Sequence, residues 1–143
     1  MIKRFVPESF VAPLIFDNED FHFRVLEDAV VEQDYEAVMS NQERLQGIFG
    51  PDSNWPQSDM TLEQNRASLK VHKQEFESRQ AFAFSVFNTA KDKCLGSIYI
   101  DPSRSPNFDC EVHFWVREDS QHLDETLFRD VKVWLQNDWP FSN

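Results

Sequence analysis

Between Phe108 and Trp139 the chain gathers residue types that can carry chemistry. In FDCEVHFWVR, Phe108, Cys110, Val112, Phe114 and Val116 occupy one side of an alternating pattern. Asp109, Glu111, His113, Trp115 and Arg117 occupy the other. One face of one predicted strand therefore offers carboxylates, an imidazole, an indole and a guanidinium. The period then changes. Leu123, Leu127, Val131, Trp134, Leu135 and Trp139 recur at three and four residues, the stripe of an amphipathic helix. Ser120 or Asp119 can cap its start, and Asp124 and Glu125 suit its positive end. A strand entering a helix through a short loop presents backbone N–H groups where an anion can bind, although most such junctions are simple connections.

Two further residues stand out. Trp55 lies in a turn-rich loop, IFGPDSNWPQSDM, either lining a substrate or pinning the loop to the core. His72 falls on the inner face of a predicted helix, with Leu62, Leu69 and Phe76, as a base or as a hydrogen-bonded structural residue. The helix begins at Thr61, where Gln64 three residues on completes a capping box, and runs to about Ser78.

The remaining elements follow by pattern. Residues 1–20 read as an irregular arm that packs Phe5, Phe10 and Phe16 on the domain. FHFRVL, from Phe21, alternates as a first strand. A helix covers Glu32 to about Gln46, with Gly47 and Gly50-Pro51 stopping it. Ala81 to Phe87 is almost wholly apolar, as in a strand covered on both faces. Cys94 to Ile100 follows, with Gly96 marking a bulge or a close backbone approach. These two strands and the one from Phe108 read as an antiparallel meander, with a helix pair before and a helix after.

The 143 residues, 41% hydrophobic, suit a single α+β domain over 1–143. Fourteen Phe and four Trp make its core strongly aromatic. A net charge of −11 disfavours nucleic acid and suits a cationic substrate, though it also serves solubility. Cys94 and Cys110 fall on neighbouring strands and are expected as reduced, partly buried thiols. The N-terminus lacks the apolar run of a signal peptide, and no stretch approaches the roughly 20 apolar residues that span a membrane. A cytoplasmic location is expected. No metal-ligand spacing, P-loop, dinucleotide glycine motif or nucleophile elbow occurs.

The element order, with the segments CLGSIYIDPS, DCEVHFWVRE and LDETLFRDVKVWLQNDWPF, resembles the GNAT N-acetyltransferases, and most closely a group of small bacterial members. The resemblance runs from about Phe5 to Phe141. It implies a three-layer fold with a mostly antiparallel central sheet. It also implies acetyl-CoA as acyl donor and transfer to an amine on a small molecule or protein. The strand from Phe108 to Val116 would pair its backbone with the pantetheine arm, and the loop Arg117 to Leu123 would hold the pyrophosphate. On that basis Glu111 is the candidate general base. Phe114, Trp115, Val116, Arg117 and Ser120 are candidate cofactor contacts, mainly through backbone. Trp55, His72 and His113 are candidates for the substrate side. No metal is implied.

The sequence departs from the superfamily pattern twice. The phosphate-binding signature Q/R-x-x-G-x-G/A has no counterpart. Its place is taken by REDSQHLDE, which has no glycine and four acids. The superfamily also adds another strand, a helix and a closing hairpin after this helix, so the domain is expected to be C-terminally shortened. An alternative is therefore a GNAT-fold binding module that does not catalyse. Its open sheet edge could be covered in a homodimer.

Overall fold

The computed structural model describes residues 4–142; Met1 to Lys3, the start of the expected arm, and Asn143 lie outside them. Five strands form one antiparallel sheet in sequence order: β1 (Ile15–Asp17), β2 (His22–Val25), β3 (Phe82–Phe87), β4 (Cys94–Pro102) and β5 (Cys110–Val116). Helices α1 (Val31–Ser40), α2 (Gln42–Leu45) and α3 (Leu62–Glu77) fall between β2 and β3, and α4 (Asp124–Asp138) follows β5. The α+β, three-layer expectation holds, because β3 is buried at all six positions between two apolar layers.

Alternation sorts the core. Ile98, Ile100 and Val116 join Leu127, Val131 and Trp134 of α4 in one layer. Ala83, Phe87, Tyr99 and Trp115 join Val31, Val38 and Leu69 of α1 and α3 in the other. Trp134, 1% exposed, centres the first layer, with ring centroids 4.9 Å from Phe84 and 5.2 Å from Phe23. Edge-to-face geometry of this kind adds about 1 kcal/mol per pair beyond area burial. Phe5, Phe10 and Phe16 of the arm pack against this layer, as expected.

Three local readings need correction. The arm is not wholly irregular: Ile15–Asp17 pairs with His22–Arg24 as β1. The turn is closed by Asn18 Oδ1, which accepts from the Asp20 and Phe21 amides at 2.8 Å each. The helix expected over Glu32–Gln46 breaks at Asn41. There Asn41 Nδ2 turns back to Ala37 O at 2.7 Å, competing with the helix ladder. Neither Ser120 nor Asp119 caps α4, whose N-cap is Leu123 after a 3-10 turn over Glu118–Leu123. Asp119 is drawn off by Lys93 and Arg117. The cysteines lie on neighbouring strands as expected, though at opposite ends of the ladder. Cys94 begins β4, whereas Cys110 pairs with Pro102 at its far end, and both thiols are free.

Two readings hold closely. Thr61 and Gln64 form both hydrogen bonds of the capping box on α3. Gly96 marks both expected features. The β3–β4 register shifts beside it, and a Cβ added there would meet Trp115 O at 1.9 Å.

Candidate active site

Register decides which side chains meet. The β4–β5 ladder sets Glu111 opposite Asp101, His113 opposite Tyr99, and Trp115 opposite Ser97. Paired residues share a face, so these side chains look toward α3 and the loop between α2 and α3. Here the three residues expected on the substrate side converge. Phe49 is the hub, with its ring 4.9 Å from Tyr99, 5.3 Å from His113 and 5.7 Å from Trp55. His72 lies 5.7 Å from Tyr99 by ring centroid, and its Nδ1 is 3.7 Å from Glu75 Oε1. Trp115 Nε1 donates to Tyr99 Oη at 3.1 Å, locking both rings.

The rim of this aromatic cluster is acidic. Glu111 Oε1 receives Arg104 Nε at 3.1 Å. Asp101 has its pKa raised by burial and by the Glu111 charge, partly offset by His113. Burial, then Asp101, raises that of Glu75. Burial lowers the pKa of His72, favouring the neutral ring. Groups poised this way can accept or hold a proton beside a cationic amine. Asp101, Glu75 and Phe49 escaped the sequence reading. For Asp101 a signal existed, since its place in the meander across from Glu111 follows once the register is fixed.

The outer side of β5 is the second feature. Arg117 N–H donates to Leu95 O at 2.7 Å, continuing the ladder. Hydrogen-bonded pairs alternate along an antiparallel ladder. Trp115, His113 and Glu111 therefore turn their backbone groups to β4, and Val112, Phe114 and Val116 turn theirs outward. No described strand pairs with that edge. Val116 O is already held by Arg44 Nη1 at 3.2 Å. The Phe114 ring leans on Phe128 of α4, 6.1 Å away, rather than across the edge. An extended amide-bearing arm fits such an edge.

The turn into α4 is differently furnished. Arg117 is buried, its guanidinium bidentate on Glu36 at 2.7 Å twice and donating to Cys94 O at 3.1 Å. Asp119 adds a contact at 3.0 Å. The Glu118 amide donates to Asn41 Oδ1 at 2.6 Å and the Ser120 amide to Arg117 O at 2.9 Å. These internal bonds occupy donors that a phosphate would need, and Glu118 and Asp119 add negative charge. The residues of the edge thus fit the arm of acetyl-CoA better than those of the turn fit its pyrophosphate.

No family model and no curated protein matches the sequence. Solved structures do match. The ribosomal-protein-S5-alanine acetyltransferase from Vibrio fischeri superposes with a TM-score of 0.65 at 16% identity, covering 86% of this chain and 67% of that one. RimL, a ribosomal L7/L12 α-N-protein acetyltransferase in complex with coenzyme A, gives 0.66 at 16% identity over 87% of this chain and 70% of that one. An acetyltransferase from Salmonella typhimurium that modifies the N-terminal serine of L7/L12 gives 0.57 at 15% identity, covering 85% and 68%. At such identities the likeness establishes the fold. This chain has the GNAT acetyltransferase fold, over about two thirds of the length of those structures.

Proposed function

We propose that this protein transfers an acetyl group from acetyl-CoA to a primary amine. The observation that carries the reading is the pairing of two features on β5. Its outer edge offers free backbone groups at Phe114, and its inner face holds Glu111 among aromatic rings and carboxylates. Similar structures that acetylate ribosomal-protein amino groups support an amine as acceptor.

Acetyl-CoA supplies the acyl group as a thioester; the chain supplies position and proton transfer. Val112 and Phe114, with the Val116 N–H, would hold the extended arm through outward backbone groups, Val116 O being held by Arg44. A Phe114 N–H directed at the carbonyl oxygen stabilises the charge that develops there. Asp101 and Glu111 attract the acceptor as its ammonium ion. Glu111, directly or through water, takes the proton that the amine must lose before it attacks. The new C–N bond would form as the C–S bond breaks, and coenzyme A would leave as its thiol with a proton from solvent. Trp55, His72 and His113 bound the acceptor side. Ser120 and Arg117 hold the turn beside the anionic end.

The test joins titration to turnover. Calorimetric titration should give micromolar acetyl-CoA binding to native protein and to Glu111→Gln alike. The substitution should lower turnover with a screened amine by about 10²–10⁴-fold, the usual contribution of a general base. Unchanged turnover would remove Glu111 from the role.

One observation favours a second reading, a GNAT-fold module that binds without catalysing. The amides of Glu118 and Ser120 are consumed internally in a glycine-free, acidic turn. Absence of binding at millimolar acetyl-CoA would select this reading and direct attention to a protein partner, such as a second copy, on the β5 edge.

A further inference from the structure

The inner face of β5 beside Glu111 is covered by the chain itself. Phe49 sits between two glycines held at positive φ, Gly47 at +84° and Gly50 at +129°. Its ring covers Tyr99 and His113 at 4.9 and 5.3 Å. Beneath it His113 Nδ1 is buried without a hydrogen-bond partner. A buried polar atom left unpaired costs roughly 1–3 kcal/mol, which a bound ligand can recover.

The segment is anchored on both sides and tethered lightly between. Gln42 Nε2 and Gln46 Nε2 donate to Pro56 O at 2.8 and 3.2 Å, and Tyr35 Oη donates to Met60 O at 2.7 Å. Between Gly47 and Pro56 the backbone makes three turn contacts, Ile48 N to Leu45 O, Gly50 N to Gly47 O and Ser53 N to Gly50 O. The anchors hold the loop ends while the two glycines let the Phe49 backbone rotate.

We propose that Phe49 is a displaceable cap occupying the position of an apolar, ring-sized group of the acceptor. The ligand class is a primary amine carried a short distance from such a group. It would take the place of the Phe49 ring against Tyr99 and Trp55, set its ammonium toward Asp101 and Glu111, and donate an N–H to His113 Nδ1. The identification of the amine as the reacting end rests on the acetyltransfer reading; the cap itself does not.

Binding without any acyl donor separates the two. Phenethylamine and ethylamine are titrated into the native protein and into Phe49→Ala, followed by the NMR signals of the Trp55 indole and the His113 ring. Phenethylamine should shift both signals in the native protein where ethylamine at equal concentration does not. Phe49→Ala should bind phenethylamine about fivefold to tenfold tighter, because its own ring contacts no longer compete. Equal affinity for the two amines in native protein, or unchanged or weaker phenethylamine binding in Phe49→Ala, would overturn the cap. If that variant fails to fold, the native comparison alone decides. A cap that passes this test in a protein without acetyl transfer would indicate an amine-binding module.

Discussion

Asp34 shows how a single buried group shapes the behaviour of the whole chain. It is 2% exposed on the inner face of α1, and Asn65 Nδ2 donates to its Oδ2 at 2.9 Å. Burial raises its pKa from 3.8 to about 6, against the lowering effect of Asn65. The folded state therefore keeps a proton between these values that the unfolded chain has released. Stability should fall as pH rises from about 4 to 6 and stay lower above, by roughly 3 kcal/mol at most. Asp34→Asn keeps the acceptor for Asn65 and cannot ionise. It should match native stability in urea at pH 4 and exceed it by roughly 1–3 kcal/mol at pH 7.5. A constant difference across pH would show that Asp34 ionises freely in the fold. Glu111 and Asp101 illustrate the other use of carboxylates, at a rim where Arg104 pairs with Glu111 and burial raises the pKa of Asp101 against the opposing effect of His113.

At the scale of elements, the β4–β5 ribbon positions everything the site uses, and Gly96 sets its closest point. A methyl group there would lie 1.9 Å from Trp115 O and 3.2 Å from Val116 Cα, both backbone. Neither can yield without moving β5. Gly96→Ala should cost about 3 kcal/mol or more, the upper range for overpacking, in chemical denaturation. It should also shift the backbone amide signals of Ser97, Trp115 and Val116. A loss under 1 kcal/mol would mean that the ribbon flexes at this point and that Glu111 is less firmly registered against Asp101. Asn41 does similar work between elements. It ends α1, and its Oδ1 accepts from both Glu118 N and Arg44 Nη1, tying the helical layer to the turn before α4.

For the whole molecule, charge is the governing quantity. With −11 on 143 residues, the long-range field opposes an anionic donor and favours a cationic acceptor. Salt screens both effects over roughly 10 Å. Raising sodium chloride from 20 to 150 mM should therefore strengthen acetyl-CoA binding about twofold and weaken binding of an amine by a similar factor. Acetyl-CoA binding that weakens with salt would reveal a local cationic cradle strong enough to outweigh the net charge. Among the described residues no helix is long and apolar enough to cross a membrane.

Local text determined much of this protein. The capping box at Thr61, the alternation in β5, the stripe of α4 and the tight approach at Gly96 are each written within a few neighbouring residues, and each formed as read. Trp55, His72 and His113 were visible as residue types, but nothing local said that they meet. That took the register placing His113 beside Tyr99 and a loop laying Phe49 over both. The same limit explains the misread positions. Asp119 and Asn41 look like a cap and a helix residue until Lys93 and Arg117, or Glu118 and Arg44, arrive from distant parts of the chain. Arg117 likewise reads as a free cation until α1 brings Glu36 against it. Periodicity and capping depend on neighbours in sequence. Charge pairing, pKa and the contents of a cleft depend on neighbours in space, which only tertiary packing supplies.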